Sequence, residues 1–412
     1  MKNNFLQEMQ DRGFLNQCTN LDSLGKICNN KSISGYIGFD CTAKSLHVGS
    51  LLQIMILKLM QKHGHRPVIL LGGGTTLIGD PSGKDTTRKI LEQKEISNNI
   101  KSIKKVFKKV LKSSNKKTAP IFVDNADWLT KLNYIQFLRD VGSHFTINKM
   151  LTFDSVKLRL DREQSLSYME FNYMILQAYD FYQLFKKNNC ILQIGGSDQW
   201  GNIVSGVDLI RRKLQKEAYG LTSPLITLAS GIKMGKTEKG AIWLNEEQLS
   251  PYEYWQFWRN TDDRDVRRFL NFFTEIEPTE INKIFDDEKD INKLKILLAN
   301  EATKILHSEE ASKKAAQSAK ETFESGGLGS DLPEIIVKSH EIKNGINFLE
   351  FVAKNNILSS KSEARRAIAN KGLKINDVII DDDKKILQVK DFNKKILKLS
   401  YGKKKHYLVK II

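Results

Sequence analysis

RPVILLGGG, residues 66–74, is an apolar run that ends on three glycines. It has no alternation of apolar and polar residues. A strand buried on both faces reads this way, and such strands belong to parallel sheets. CILQIGGSDQWGN, residues 190–202, repeats the plan: strand, two glycines, polar turn. Between the two lie a lysine-rich helical stretch, ISNNIKSIKKVFKKVLK (96–112), and a strand-like piece, IFVDNADW (121–128). Strands alternating with helices predict an α/β fold with a parallel sheet and ligands at the carboxyl ends of its strands. Two familiar nucleotide motifs fail on these glycines. The dinucleotide fingerprint GxGxxG needs a glycine where Leu77 stands after Gly72 and Gly74. The phosphate loop GxxxxGK[ST] is broken by Ile78 at its first position and by Asp85 after Gly83 and Lys84.

The chain has 412 residues, too many for one small core, so two or three domains are expected. No apolar run reaches the roughly 18 residues of a membrane span, and MKNNFLQEMQ lacks the apolar core of a secretory signal. Cys18, Cys28, Cys41 and Cys190 form no CxxC pair, which fits a reducing cytoplasm without disulfides or a zinc site. The formal net charge is +17. Lysines on solvated faces explain an excess as readily as a partner does, but the placement here is uneven. Residues 346–412 hold 16 Lys and Arg against 7 Asp and Glu, and gathered positive charge is the footprint of a nucleic-acid partner. Upstream, SPYEYWQFWRNTDDRDVRRFLNFF and INKLKILLANEATKILH make residues 250–323 helical, and ESGGLGSDLP (324–333) reads as a linker. The tail opens with helical NFLEFVAKNN. SSKSEARRAIANKG follows, with Lys361, Arg365 and Arg366 on one helical surface and Gly372 as its C-cap. LKINDVII and HYLVKII read as short strands.

SYMEFNYMILQAYDFYQLFK, residues 167–186, predicts a helix opened by a Ser167–Glu170 capping box. Tyr173, Gln177 and Asp180 fall at i, i+4 and i+7 and share one face of an otherwise apolar helix. That line is either a solvated stripe or a phenol, an amide and a carboxylate inside a pocket for a small ligand with polar and aromatic parts. GDPSGK (79–84) puts Asp80 past one strand end, and GGSDQWGN (195–202) puts Asp198 and Gln199 past another. Each acid alone reads as turn-forming, though acids at strand ends also hold ribose hydroxyls. YIGFDCTAKSLHVGS (36–50) passes through Asp40 and Thr42 to a lone His47 beside Gly49, either as an ordinary strand-to-helix connection or as a phosphate seat. KMGKT (233–237) sets two lysines around a glycine, as a polyphosphate leaving group requires.

Together these segments resemble bacterial tyrosyl-tRNA synthetases, of the class I aminoacyl-tRNA synthetases, over nearly the whole length. YIGFDCTAKSLHVG resembles the region of the family's HIGH motif, and KMGKT resembles its KMSKS motif. GDPSGK, YMILQAYDF and LQIGGSDQWGNI resemble segments particular to the tyrosine enzymes. The tail resembles the S-four RNA-binding module shared with a small-subunit ribosomal protein. The resemblance implies a Rossmann-like parallel-sheet catalytic domain (1–228) with a dimer-forming insertion around 125–165. It implies next the KMGKT loop and an α-helical anticodon-side domain (229–323), a linker (324–345), and a small α+β S-four-type RNA-binding domain (346–412). The implied activity joins L-tyrosine to tRNA(Tyr) with ATP as substrate, accompanied by Mg²⁺. The implied enzyme is a cytoplasmic homodimer with no membrane association and no protein-bound metal.

The resemblance also implies roles by position. Tyr36 and Asp180 would hold the phenol hydroxyl. Tyr173, Gln177 and Asp80 would hold the α-ammonium group, and Asp40 and Gln199 would line the tyrosine and adenylate site. Asp198 would take ribose hydroxyls, and Gly38, Gly49 and Gly195 would lie against ATP. Thr42 and His47 would contact its phosphates, with Lys233, Lys236 and Thr237 gripping pyrophosphate in the transition state. Lys361, Arg365, Arg366, Lys403 and Lys404 would meet tRNA. Three positions depart from the family pattern. Ser50 stands where HIGH has its second histidine. Ile37 stands where many relatives have a cysteine that can contact ribose. Cys41 replaces the usual proline, which predicts a slightly looser turn.

Three rivals share parts of the pattern. A tryptophanyl-tRNA synthetase has the same chemistry, but Asp180 beside Tyr173 and Gln177 and the basic tail argue against it. A small-molecule nucleotidyltransferase with an HxGH-type site needs neither the tail nor the helical middle. A non-catalytic RNA-binding protein on a synthetase fold would not need the intact pocket residues.

Overall fold

The computed structural model describes residues 5–79, 91–231, 234–237, 240–324, 332–393, 395–402 and 405–412. The chain divides into two compact units, one of residues 1–236, 241–248 and 261–294, the other of residues 237–240, 249–260 and 295–412.

The first unit is built on six strands: β1 (Gln17–Cys18), β2 (Ser34–Asp40), β3 (Arg66–Gly72), β4 (Ile121–Asp124), β5 (Cys190–Gly196) and β6 (Tyr219–Ser223). Their order in the sheet is β1-β6-β5-β2-β3-β4. All neighbours are parallel except β1, which runs antiparallel along the edge of β6. The apolar run at 66–72 is buried from Pro67 to Gly72, as a strand covered on both faces must be. Helices α1 (Leu51–Lys62), α2 (Gln93–Val110), α3 (Tyr168–Asn188) and α4 (Trp200–Leu214) lie between the strands in sequence. In α2 the buried residues Ile96, Ile100, Ile103, Phe107 and Val110 recur every three or four positions, leaving the lysines to solvent.

The topology fixes where a ligand fits. The chain steps outward from β2 to β3 to β4, then returns to the other side of β2 for β5 and β6. The order therefore reverses between β2 and β5, and a crevice opens at the strand ends there. The register widens it. β2 pairs with β3 as far as Asp40↔Gly72, but its ladder with β5 ends at Tyr36↔Gln193.

IFVDNADW, read as strand-like to 128, leaves the sheet at Asp124. Asp124 Oδ1 accepts from the Ala126 backbone N–H at 2.9 Å, an Asx-type turn, and residues Ala126–Leu129 form one helical turn. At the N-terminus, in helix Phe5–Asp11, buried Glu8 receives Arg12 Nε (2.7 Å), Lys62 Nζ (2.8 Å) and His63 Nε2 (2.7 Å). Burial alone would raise its pKa, but these three partners hold it down at about 2.

In the second unit, helix Pro251–Arg259 starts with a Ser250–Glu253 capping box and a proline at its first turn. The C-terminal part is a five-stranded sheet in the order Val378–Ile379, Leu373–Ile375, Ile396–Tyr401, Lys405–Ile411, Glu334–Val337. Phe348, Leu373, Leu387, Leu397 and Val409 fill its core. LKINDVII is two strands folded over Asn376 and Asp377, both with positive φ, as a tight hairpin needs. Gly372 is not the residue that turns left-handed after the helix Lys361–Ala369. Lys371 takes that conformation at φ 54°, and Gly372 N–H then closes onto Ala367 O at 2.8 Å. Glu334–Val337 lies within 324–345, the stretch expected as a linker. It is a strand, parallel to Lys405–Ile411. The terminal residue is tied in too: Ile412 N–H donates to Val337 O at 3.0 Å, and its carbonyl accepts from Ser339 N–H at 2.9 Å.

Candidate active site

A cavity of about 550 Å³ occupies the reversal point at the carboxyl ends of β2 and β5. The sequence-predicted residues Tyr36, Gly38, Asp40, Thr42, His47, Gly49, Tyr173, Gln177, Asp180, Gly195, Asp198 and Gln199 all line it. Asp80, Lys233, Lys403 and Lys404 lie outside the described residues. Lys236 and Thr237 lie in a two-residue strand.

The polar face of α3 reaches the cavity because the helix starts as predicted. Ser167 Oγ accepts from Glu170 N–H at 3.2 Å, and Glu170 Oε2 accepts from Ser167 N–H at 3.0 Å. Met174, Ile175, Ala178, Phe181 and Leu184 bury the rest of the helix, which leaves Tyr173, Gln177 and Asp180 facing the crevice. Asp180 is 2% exposed. Its Oδ1 accepts from Trp128 Nε1 at 2.7 Å and its Oδ2 from Asn125 Nδ2 at 2.9 Å. Burial nevertheless outweighs the two donors and lifts its pKa to about 7.

Tyr36, 1% exposed, presents a buried hydroxyl with no hydrogen-bond partner among the described residues. Burial first, and Asp180 second, push its ionisation well above the usual phenol range, so it stays a donor. A buried carboxylate and an unmatched buried hydroxyl facing one cavity form a slot for a group that can both donate and accept a hydrogen bond.

The next layer of polar groups is pre-set. Tyr173 Oη donates to Asp40 Oδ1 at 3.4 Å. Asn202 Nδ2 donates to Gln177 Oε1 at 3.0 Å and to Gln199 Oε1 at 3.1 Å, so one amide orients two others. Glycines let the turn after β5 fold back on itself: a Cβ on Gly196 would meet Asp198 Oδ1 at 2.7 Å, and one on Gly195 would meet Gln199 Cβ at 3.1 Å.

At the opposite end, residues 45–48 are strapped to 242–245. Val48 N–H donates to Ile242 O at 2.8 Å, Leu244 N–H to Leu46 O at 2.9 Å, and Asn245 N–H to Ser45 Oγ at 3.0 Å. His47 Nδ1 accepts from Gly49 N–H at 3.1 Å. In the neutral ring this assigns the proton to Nε2. Gly49 has no room for a side chain, since a Cβ would sit 2.7 Å from Met234 O and 2.8 Å from the His47 ring. Gly235, at φ +100°, packs on the same ring. The close approach at Gly49 is thus made by the KMGKT segment itself.

The turn at Cys41 is held more firmly than expected. Its N–H donates to Thr76 Oγ1 at 2.9 Å and its carbonyl accepts from Asn99 Nδ2 at 2.9 Å. Proline has no N–H and could not make the first bond. Sequence reasoning missed Asn125, Trp128 and Asn202, whose partners are fixed only by the fold. Among the basic tail residues, Lys361 pairs with Glu350 and Arg365 Nε with Asp383 at 2.9 Å, both exposed pairs of small energetic weight. Arg366 is exposed.

Two family models match the chain. The model for tRNA synthetases class I (W and Y) covers residues 28–324, and the one for the Tyrosine--tRNA ligase SYY-like C-terminal domain covers residues 326–409. A Tyrosine--tRNA ligase of Pelagibacter ubique is 59% identical over 410 residues and spans 100% of both chains. One of Rickettsia conorii is 51% identical over 410 residues, covering 99% of this chain and 100% of its own. Among solved structures, a C-terminally truncated mitochondrial tyrosyl-tRNA synthetase of Aspergillus nidulans superposes with a TM-score of 0.70 at 29% identity, covering 77% of this chain and 94% of that one.

Proposed function

The chain belongs to the class I tRNA synthetases of the tryptophan and tyrosine group, and on that footing we propose that it is a tyrosine–tRNA ligase. It activates L-tyrosine with ATP to tyrosyl-adenylate and pyrophosphate, then transfers tyrosine to the 3′ end of tRNA(Tyr). The observation that carries the choice of tyrosine is the pair at the buried end of the cavity: the Tyr36 hydroxyl, without a partner among the described residues, and the Asp180 carboxylate held by Trp128 and Asn125. A phenol hydroxyl accepts from the first and donates to the second. Phenylalanine would leave the Tyr36 hydroxyl desolvated and unmatched and would bring Asp180 no further donor. Tyrosine-dependent exchange of pyrophosphate into ATP tests the reading. No exchange with tyrosine sinks it, and exchange with tryptophan instead would mark a tryptophan enzyme.

The other roles follow along the cavity. Tyr173, Gln177 and Asp80 take the α-ammonium group, Asp40 and Gln199 line the tyrosine and adenylate site, and Asp198 takes ribose hydroxyls. Thr42 and His47 meet the phosphates together with Lys233, Lys236 and Thr237, and Gly38, Gly49 and Gly195 lie against ATP. The tyrosine carboxylate is already ionised at neutral pH, so its attack on the α-phosphate needs no general base. The rate comes from positioning and from donors aimed at charge that builds in the pentacoordinate state. The fixed Nε2–H of His47 is such a donor. Mg²⁺ enters with ATP, bound mainly by phosphates and water. In the second step a terminal ribose hydroxyl of tRNA attacks the adenylate carbonyl and AMP leaves.

We divide the chain into catalytic domain (1–228), KMGKT loop and helical domain (229–323), connecting stretch (324–345) and RNA-binding domain (346–412), where Lys361, Arg365, Arg366, Lys403 and Lys404 meet tRNA. The enzyme works in the cytoplasm as a homodimer. Support for the dimer lies in residues 134–169, where Tyr134, Ile135, Ile147, Leu158, Leu160 and Tyr168 are exposed on a surface too apolar for solvent alone. Its four cysteines are free thiols, in keeping with that compartment. No helix among the described residues is long and apolar enough to cross a membrane.

A further inference from the structure

The positive charge of the chain is gathered in two places. Residues 346–412 are one. Residues 93–117 are the other, with nine lysines against a single acid, Glu95. The remaining 320 residues hold 40 Lys and Arg and 40 Asp and Glu, so the whole excess of +17 lies in these two segments. A general preference for lysine would spread the excess along the chain. Charge collected on one element is instead the footprint of a polyanion.

Helix α2 carries most of the second segment. Lys94, Lys101 and Lys108 recur every seven residues and are exposed, so they line one edge of the helix over about 21 Å. That edge lies opposite buried Ile96, Ile103 and Val110. Lys112, Lys116 and Lys117 follow in the exposed turn after the helix. Among the described residues, two lysines of the segment pair with carboxylates: Lys105 with Glu247 at 2.8 Å and Lys109 with Glu246 at 3.0 Å. Lys101 and Lys105, and Lys104 and Lys108, stand four apart, where like charges weaken a helix. Solvation needs polarity rather than one sign of charge, and a glutamate at 101 would turn repulsion into a pair.

The inner side of the same helix is tied to the cavity mouth. Asn99 Nδ2 donates to Cys41 O at 2.9 Å. Asn245 Nδ2 donates to Ser102 Oγ at 2.9 Å, and Ser45 Oγ donates to Asn245 Oδ1 at 3.1 Å. Asn99 and Ser102 therefore anchor α2 on the loop that leads from Asp40 to His47. The lysine edge flanks the cavity that the 3′ end of tRNA must enter.

We propose that this edge is a second RNA-docking surface, carried by the first unit, which holds the phosphate backbone of the arm that delivers the 3′ end and does so through charge without reading bases. The proposal rests on the reading of the chain as a tyrosine–tRNA ligase. It adds to the C-terminal module, since two sites engaging one RNA raise each other's effective concentration.

The test is the full-length triple variant Lys101→Gln, Lys108→Gln, Lys112→Gln. Its KM for tRNA(Tyr) in charging is expected to rise about tenfold or more at low salt. Tyrosine-dependent pyrophosphate exchange is expected to keep its wild-type KM and kcat. Three lost phosphate contacts flatten the plot of log affinity against log salt by about 2 to 3. Wild type should therefore lose about 15- to 60-fold more affinity than the variant between about 50 and 200 mM salt. Binding of a non-cognate tRNA should weaken by the same factor, and a loss confined to tRNA(Tyr) overturns backbone docking. The matching Lys→Arg triple variant is expected to behave as wild type; a loss there overturns the role of charge. An unchanged KM for tRNA and salt slope overturn the proposal, as does a fall in exchange, which would mark a disturbed loop 41–47. Lost binding to phosphatidylserine vesicles with unchanged tRNA binding overturns it in favour of a lipid surface. Wild-type protein without exchange activity would refute the reading of the cavity itself, a result distinct from all of these.

Discussion

Trp128→Phe isolates one of the two bonds that hold Asp180. Phenylalanine keeps most of the packing of the ring but removes the Nε1–H that donates to Asp180 Oδ1 at 2.7 Å, leaving Asn125 at 2.9 Å on the other oxygen. A hydrogen bond to a charged group is worth about 1.5–3 kcal/mol, and about 1.4 kcal/mol corresponds to one pH unit in a pKa. The carboxyl that burial has already raised to about 7 should then ionise about one to two pH units higher. The phenol of tyrosine donates, so the ionised carboxylate is the form that receives it. At pH 7 the ionised fraction, and with it kcat/KM for tyrosine, should fall about 5- to 50-fold. The assay is pyrophosphate exchange across about pH 6 to 9.5. The acidic limb of kcat/KM reports the free enzyme, so it should move by the same one to two pH units and the deficit should narrow above about pH 9. A deficit of constant size at every pH would refute the reasoning and reduce Trp128 to packing.

Gly49→Ala would put a methyl 2.7 Å from Met234 O and 2.8 Å from the His47 ring. It should lower kcat about tenfold or more while moving either KM less, because misplacing a positioned group falls on the transition state; an unchanged kcat would detach His47 from the chemical step. Glu8 has a folded pKa of about 2, below its unfolded value, so its stabilisation is complete above about pH 4.5 and is lost as pH falls towards 2. Glu8→Gln should therefore cost about 3 kcal/mol in urea titrations at pH 7, with a gap that closes below pH 4.5; a gap independent of pH would mean that the charge is not what matters. Ile135→Glu with Leu158→Glu should give a monomer in sedimentation, and an intact dimer would move the interface elsewhere. Removing residues 332–412 should leave exchange intact and abolish tRNA charging, whereas equal loss of both would make the module a structural part of the enzyme.

The sequence showed what local physics writes into it. The strands at 66–72 and 190–196, the Ser167–Glu170 box and the shared face of Tyr173, Gln177 and Asp180 depend on periodicity and on neighbours three or four residues away. Asn125 and Trp128 were hidden because their partner lies more than fifty residues on, and because IFVDNADW keeps a strand-like look past the point where Asp124 turns the chain. Asn202 was hidden for the same reason: a polar residue in the first turn of a helix reads as a start signal until two glutamines converge on it. Gly49 was legible as a glycine expected against ATP, but its protein neighbour was not, because Met234 arrives from far along the chain. The strand Glu334–Val337 escaped notice because its pairing partner, Lys405–Ile411, lies far along the chain.

The strand Lys405–Ile411 sets when and how the C-terminal sheet can be completed. Lys405–Ile411 lies between Ile396–Tyr401 and Glu334–Val337, and Ile412 is bonded back to Val337 and Ser339. During synthesis the first strand of this sheet leaves the ribosome long before the one it must pair with exists. The sheet can close only after Lys405–Ile411 has itself left the ribosome. A stop before Lys405 would remove the strand that joins Ile396–Tyr401 to Glu334–Val337.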